Sequence, residues 1–186
     1  MAILLLLNGP PGIGKSTLAH RWAAERPPAL LLDIDRLWGL LPGVPFAEAG
    51  PFARRLALAM AREHLEDGYD VVVPQYLGVV SELERFEAVA TAAGADFVQV
   101  LLSDDRDAAI VRFSRRDGDR HDLVREHVAQ EGGDAYLGWM YDRLADILAA
   151  RPATPVVPTE WGDEDGAYDA LSRALARGTD VSTARY

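Results

Sequence analysis

The sequence predicts a single α/β domain in which helices cover both faces of a five-stranded parallel sheet. Five short apolar segments alternate with segments of helical periodicity, a pattern that is typical of parallel sheets buried on both faces. The chain has 186 residues, of which 49% are hydrophobic, and this is enough to build one core. Its first segments follow the order strand, glycine-rich loop, helix. We therefore expect a three-layer α/β/α architecture that binds ligands at the carboxyl ends of its strands.

The predicted strands are short and mostly aliphatic, and we place them at residues 2–7, 29–33, 70–73, 97–102 and 154–157. Apolar residues at helical spacing predict helices at residues 15–26, 52–66, 81–93, 104–116, 123–130, 135–150 and 164–177. Ser81, which Glu84 follows in a capping-box pattern, and Ser103 are the predicted N-caps of two helices. Glycine and proline interrupt residues 38–51, which we expect to form a loop over the site.

Residues 9–16, which read GPPGIGKS, match the phosphate-binding pattern G-x-x-x-x-G-K-[ST] between a strand and a helix. In this context the loop amides wrap the phosphates, Lys15 reaches the β- and γ-phosphates, and the Ser16 hydroxyl binds Mg²⁺. The pattern predicts a P-loop NTPase fold, with ATP or another NTP and Mg²⁺ as cofactors. A glycine-rich turn with an incidental lysine is the alternative. The expected nucleotide-binding residues of the loop are Gly9, Pro10, Pro11, Gly12, Ile13, Gly14, Lys15, Ser16 and Thr17.

Two carboxylates follow the second predicted strand, whereas the third ends without one. Gln75 stands where the third strand would place an acid, and Asp33 and Asp35 follow the second. In an extended segment their side chains point the same way, because side chains alternate with period two. We expect one carboxylate near the metal and the other to accept a hydroxyl proton, and spacing alone does not assign the two roles. Alternatively, they are ordinary strand-end residues, the second capping a helix near Arg36.

Together with an arginine-rich segment after the fourth strand, these features resemble the nucleoside-monophosphate-kinase-like small-molecule kinases. That group includes shikimate and gluconate kinases, chloramphenicol phosphotransferase and zeta-toxin-like AAA family ATPases. The resemblance implies that Asp33 and Asp35 are the metal-side and substrate-side acids. It also implies a mobile helical lid at about residues 112–131 that closes over the phosphates, and a nucleotide base near Thr159.

The arginines of the predicted lid are candidates for a phosphate clamp. Arg112, Arg116 and Arg120 lie around a flexible Asp-Gly-Asp break, and we expect Arg116 and Arg120 to take part in catalysis. Their alternative explanation is favourable placement at a helix C-terminus with surface pairing to nearby aspartates.

The acceptor pocket is predicted between the second-strand end, the broken segment and the third-strand end. Its candidate lining residues are Asp35, Trp38, Arg54, Gln75 and Tyr76. Flat apolar rings beside an amide indicate a neutral, partly apolar acceptor that carries hydroxyls. The alternative is that the aromatic side chains belong to the core.

Composition narrows the classes of function. There is no cysteine, which excludes disulfides, thiolate metal sites and a cysteine nucleophile, and the net charge of -10 disfavours nucleic acid as a partner. We find no targeting or membrane segment and expect a cytoplasmic monomer or homodimer. Residues 1–177 are the predicted domain and 178–186 a flexible tail.

The predicted function is an ATP-dependent phosphotransferase that acts on a hydroxyl of a small-molecule acceptor such as an antibiotic, nucleoside or sugar-like metabolite. A nucleotide-binding regulatory protein and a polynucleotide 5'-hydroxyl kinase are the alternatives.

Overall fold

A computed structural model describes residues 1–114 and 122–183. In this part of the chain five strands form one sheet, in the order β2-β3-β1-β4-β5, and every pair is parallel. The strands are β1 (Ile3–Asn8), β2 (Leu30–Leu31), β3 (Val71–Pro74), β4 (Asp96–Ser103) and β5 (Val156–Pro158). The predicted five-stranded parallel sheet is therefore confirmed.

The helices occur between the strands and after the last one, so that they cover both faces of the sheet. They are α1 (Lys15–Ala24), α2 (Ile34–Leu37), α3 (Phe46–Glu66), α4 (Val80–Ala92), α5 (Arg106–Ser114), α6 (Asp122–Gln130), α7 (Asp134–Ala150) and α8 (Glu164–Thr183). A short 3-10 helix, Trp38–Leu40, follows α2.

The central strand β1 explains how the two cores are divided. Leu4 and Leu6 pack with α3 and α4 on one face, whereas Leu5 and Leu7 pack with α1 and α8 on the other. All four leucines are inaccessible to solvent. A strand that is covered on both faces needs a continuous apolar run, and this is why β1 shows no alternation.

The prediction that residues 38–51 form a loop is wrong for its second half, because α3 begins at Phe46 and contains Pro51. The small buried side chains of α3 recur every four residues from Ala49 through Ala53 and Ala57 to Ala61. Ala53, Ala57 and Ala61 pack in the core against β1 and β3, and Ala49, before the proline, is buried as well. Tertiary packing therefore outweighs the backbone hydrogen bond that Pro51 cannot donate.

Both predicted serine caps are also wrong. The first turn of α4 closes on the carbonyl of Val79, so that Ser81 lies inside the helix. Ser103 continues β4 in register with Pro158, and the Asp105 side chain accepts a hydrogen bond from the Ala108 N–H instead. Strand pairing in one case and an earlier helix start in the other displace the local capping pattern.

The C-terminal helix α8 runs to Thr183, into the segment expected to be a flexible tail. The division into a domain at 1–177 with a lid at about 112–131, and a tail at 178–186, stays a prediction. Within the described ranges, no helix has both the length and the apolar character that a membrane crossing requires.

Candidate active site

The phosphate loop joins the carboxyl end of β1 to the N-terminus of α1. Gly9 has φ 150°, and a Cβ there would lie 2.9 Å from the Leu102 carbonyl oxygen of β4. Gly14, with φ 97°, precedes α1 and has no side chain to cap its first amides. The loop therefore needs glycine for close packing and for left-handed backbone, and it leaves the α1 amides facing the cavity where an anion is favoured.

Lys15 lies folded over this loop. Its Nζ donates hydrogen bonds to the carbonyl oxygens of Gly9 at 2.9 Å and Pro10 at 2.8 Å. The loop thus positions the lysine through its own backbone. Gly9 and Pro10 do so without lining the cavity that Lys15 faces.

A cavity of about 550 Å³ opens in front of the loop. It lies between the loop, α2, α3, the segment after β3, and helices α5 to α7. Eleven of the predicted site residues line it: Pro11, Gly12, Gly14, Lys15, Ser16, Thr17, Asp35, Trp38, Arg54, Gln75 and Tyr76. Residues from four separate elements therefore face the phosphate loop.

Asp33 and Asp35 do not lie in an extended segment, so the expectation that they point the same way is wrong in its geometry. Asp33 is the N-cap of α2, where its carboxylate accepts a hydrogen bond from the Asp35 N–H at 3.2 Å. It also lies 3.6 Å from the Arg36 Nε. Asp35 occupies the first turn of α2 and lines the cavity, whereas Asp33 does not. The first aspartate, rather than the second, caps the helix.

The carboxyl of Asp35 is accessible from the cavity but closely surrounded by protein. This burial raises the pKa of Asp35 above its ordinary value, and the Asp33 carboxylate adds to the rise. The positive charge of Lys15 and a hydrogen bond that the Gln75 side-chain amide donates both act in the opposite direction. Asp35 is therefore a carboxylate with increased proton affinity beside the lysine of the phosphate loop, as a general base requires.

The amide of Gln75 is only half used by the protein. Its Oε1 is buried and accepts no hydrogen bond from any residue in the described part of the chain. A buried carbonyl oxygen without a partner is costly. Gln75 thus offers an acceptor atom beside Asp35 to whatever fills the cavity.

An ion pair lies in the wall formed by α3 and α4. The Arg54 Nε lies 3.3 Å from the Glu82 Oε2, and both side chains line the cavity. About a quarter of each is exposed, at 28% and 25%. The contact is not aligned as a hydrogen bond, because both atoms remain without one among the described residues. Glu82 was not predicted from the sequence, since its signal, an acid in the first turn of α4, depends on where that helix begins.

Tyr76 and the helices after β4 form the opposite wall. Phe113 of α5 packs 3.4 Å from the Cβ position of Gly12, and the Tyr76 hydroxyl donates to the Met140 carbonyl of α7 at 3.4 Å. Burial raises the pKa of Tyr76, which keeps this hydroxyl protonated. Tyr136, which also lines the cavity, stacks on Trp139. Tyr76 thus belongs both to a small core and to the cavity wall.

Asn8, at the end of β1, joins the two sides of the site and was not predicted from the sequence either. Its side chain is fully buried. It donates to the Leu77 carbonyl at 2.8 Å and accepts from the N–H groups of Gly9 at 2.8 Å and Leu77 at 2.9 Å. One amide therefore fixes the start of the phosphate loop to the segment that carries Gln75.

A second cavity of about 280 Å³ lies behind the loop, beside the segment after β5. Thr159 and Trp161 line it together with Ile13 and Thr17 of the loop region. The Thr159 hydroxyl donates to the Ser103 carbonyl at 3.3 Å, which holds this segment against β4. The structure thus places the residue expected near the nucleotide base within reach of the phosphate loop.

Most of the predicted arginine clamp lies outside the described residues. Arg116 and Arg120 lie outside the described residues, and so does the side chain of Arg112 in α5. Arg125 of α6 lines the main cavity, within the segment expected to be a lid.

Comparison with known proteins identifies the family and the fold of this chain. An AAA domain family model matches residues 4–137. No curated protein matches the sequence closely enough to count as a relative.

Several solved structures share the fold. The tunicamycin resistance protein of Deinococcus radiodurans is 17% identical, with a TM-score of 0.61 over 93% of this chain and 95% of that chain. A gluconokinase from Sinorhizobium meliloti is 16% identical, with a TM-score of 0.62 over 98% and 97% of the two chains. A protein of Chloroflexus aurantiacus with a kinase assignment is 19% identical, with a TM-score of 0.64 over 95% and 97%. The chain belongs to this AAA domain family, and its fold is that of the nucleoside-monophosphate-kinase-like P-loop group.

Proposed function

We propose that this protein transfers the γ-phosphoryl group of ATP to a hydroxyl of a small molecule. The observation that supports this most directly is the placement of Asp35. Its carboxyl lines the same cavity as the phosphate loop, interacts electrostatically with Lys15 and accepts a hydrogen bond from Gln75. A general base beside a phosphate cradle is what transfer to a hydroxyl requires.

In the proposed reaction the acceptor oxygen forms a bond to the γ-phosphorus while the bond from that phosphorus to the β,γ-bridging oxygen breaks. Asp35 takes the proton of the acceptor hydroxyl, and ADP leaves with the bridging oxygen. The raised pKa of Asp35 strengthens it as a proton acceptor.

Lys15 and the loop amides stabilise the charge on the transferring group. Lys15 is the only lysine of the chain. In the proposed complex the Lys15 Nζ donates to phosphate oxygens instead of to the carbonyl oxygens of Gly9 and Pro10. The backbone of Lys15 does not have to move. Donors fixed in advance cost little reorganisation when charge develops.

The donor groups present fit a magnesium ion. Among the described residues no group of three or more His, Cys, Asp or Glu side chains can hold a metal. Mg²⁺ in phosphoryl-transfer sites takes only one or two protein ligands besides phosphate and water. We assign the Ser16 hydroxyl as a ligand, and Asp33 as a partner through water because its carboxylate already caps α2. When bound, the ion neutralises phosphate charge.

The remaining assignments complete the proposal. We place the nucleotide base in the second cavity near Thr159, and we assign Arg112, Arg116 and Arg120 to a lid at about 112–131. The protein acts on a small molecule in the cytoplasm, as a monomer or homodimer. The phosphoryl donor is ATP or another NTP.

The test is ATP consumption with Mg²⁺ against a panel of nucleosides, aminocyclitols, sugars and hydroxylated antibiotics, with mass spectrometry of each acceptor. We expect turnover that an acceptor stimulates, together with an acceptor heavier by one phosphoryl group. Both should be lost in Lys15→Ala and Asp35→Asn. If ATP binds tightly but no acceptor of the panel becomes phosphorylated, the proposal is overturned and nucleotide sensing is favoured.

A further inference from the structure

The acceptor side of the main cavity contains a charged pair that lies outside the phosphate loop. Arg54 and Glu82 both line the cavity, on α3 and α4. These helices flank the segment after β3, on the side that carries Gln75. The pair contributes one positive and one negative charge to this side of the cavity.

Glu82 lies against Arg54 and offsets its charge within the protein. Their 3.3 Å contact is largely shielded from solvent, so water screens it little. Arg85 lies 3.6 Å from the other Glu82 oxygen, but its side chain is 56% exposed and does not line the cavity. An anionic acceptor would have to compete with Glu82 for Arg54.

In the described part of the chain, the other Lys and Arg side chains that line the cavity come from neither α3 nor α4. Lys15 is held at the phosphate loop, and Arg125 comes from α6 in the expected lid segment. Asp35 contributes a second carboxyl on the acceptor side. With Arg54 paired, the described residues of this side carry an excess of negative charge.

The uncharged side chains that line the cavity favour a flat molecule that carries hydrogen-bond donors. The buried Oε1 of Gln75 needs a donor, which a hydroxyl or an amine supplies and a carboxylate or phosphate does not. Trp38, Tyr76 and Tyr136 present aromatic surface to the same cavity. Ring-shaped molecules rich in hydroxyls or amines match both features.

We propose that the Arg54–Glu82 pair selects acceptors without an anionic group: ring compounds that carry hydroxyl or amino donors and are neutral or cationic. This inference rests on the proposed function, and it names the acceptor class of that same site. Sugar acids and nucleoside monophosphates are excluded as preferred acceptors by like-charge repulsion from Glu82 and Asp35.

The first test compares matched acceptors that differ in one anionic group. Suitable pairs are methyl glucoside with methyl glucuronide, and uridine with uridine 5'-monophosphate, with 2-deoxystreptamine added as a cation. We expect the uncharged member to have a kcat/KM about tenfold or more above its anionic partner, because unpaired like charges discriminate strongly. Preference for the anionic member would overturn the inference but leave the proposed kinase intact. Failure to phosphorylate any member counts against the proposed function.

The second test does not depend on turnover. With ADP bound at the phosphate loop, sulfate binding is measured by calorimetry for wild type and Glu82→Gln. Removing the carboxylate charge frees Arg54, so sulfate affinity should rise about tenfold or more. Glu84→Gln, an exposed residue of the same helix that does not line the cavity, is the matched control and should bind sulfate as wild type does.

Equal sulfate affinity in wild type and Glu82→Gln would overturn the inference. Circular dichroism and ADP affinity report whether Glu82→Gln is folded. If it is not, the comparison of sulfate with methyl glucoside binding to the wild-type protein carries the same test, and stronger binding of sulfate there would refute the proposal.

Discussion

The two walls of the main cavity are built in opposite ways. The phosphate wall is one continuous segment, in which backbone conformation and the two carbonyl contacts of Lys15 fix the geometry. The acceptor wall collects Asp35, Arg54, Gln75 and Glu82 from four places in the chain. In the proposed function, a local pattern therefore specifies the chemistry of the site, whereas the packing of distant elements specifies the acceptor.

This difference predicts how each wall responds to change. Substitutions in the phosphate wall should abolish transfer to every acceptor. Substitutions in the acceptor wall should alter proton transfer or the choice of acceptor while nucleotide binding persists.

The largest effect is expected for Lys15→Ala. Loss of the fixed cation should lower phosphoryl transfer by at least about 10³-fold, because preorganised charge stabilisation is a dominant catalytic term. Single-turnover transfer measures it. The control is Arg21→Ala, also on α1, whose side chain pairs with Asp165 away from the cavity.

Amine labelling adds an independent readout, since Lys15 has the only ε-amine of the chain. ATP should slow labelling at Lys15 but not at the N-terminal amine. Equal protection of both amines, or transfer by Lys15→Ala at the rate of Arg21→Ala, would contradict this picture of the phosphate wall.

Asp35→Asn should lower transfer by about 10²-fold to 10³-fold, since it removes the proton acceptor but keeps the shape of the side chain. ATP affinity should stay close to that of wild type. Because burial and Asp33 raise the pKa of Asp35, kcat/KM in wild type should fall with decreasing pH above the ordinary carboxyl range. That acidic limb should be absent from the residual activity of the variant.

The matched control for Asp35→Asn is Asp67→Asn, an exposed carboxylate at the C-terminal end of α3. A loss of ATP binding in Asp35→Asn would show that its charge serves the phosphate wall, and the division between the two walls would then not hold.

Asn8→Ala tests the connection between the walls. The change leaves the N–H groups of Gly9 and Leu77 and the Leu77 carbonyl buried without partners. We expect a loss of roughly 2–3 kcal/mol in the free energy of unfolding, measured with urea.

Gln99→Leu is the control, because Gln99 on β4 is a buried amide that makes no hydrogen bond with described residues. Replacing an unpaired buried amide by an apolar side chain of similar size should be neutral or stabilising. Equal losses in the two variants would show that burial, and not the hydrogen bonds of Asn8, stabilises the site.

The sequence predicted the sheet well because its signals are local. Each strand is a short apolar run, and the phosphate loop is a contiguous pattern between β1 and α1. The start of α3 was missed because Gly50 and Pro51 suggest a break, whereas the alanine stripe that packs on the sheet acts over several turns. Non-local packing decides such boundaries.

The same contrast applies within the candidate site. Asp35 was predicted because it follows a strand in a parallel sheet, although its place on a helix was not. Glu82 and Asn8 gave no comparable signal. Glu82 matters only through its contact with Arg54, and Asn8 only through its bonds to Leu77, which lies 69 residues away in the chain. Their roles depend on tertiary neighbours that a single sequence does not display.

The smallest expected effect is on folding stability, which the ionised carboxylate of Asp35 lowers. Its pKa is raised in the folded protein, so folding favours the protonated form. The stability that protonated Asp35 contributes is fully present below the pKa that Asp35 has in the unfolded chain. It is lost as the pH rises through the pKa that Asp35 has in the folded protein. Asparagine stays uncharged throughout, so Asp35→Asn should raise the Tm at neutral pH, and the gain should disappear under acidic conditions. A lower Tm at neutral pH would contradict this prediction. It would mean that Lys15 and Gln75 more than compensate the desolvation of the Asp35 carboxylate, so that the functional side chains of the acceptor wall also stabilise the fold.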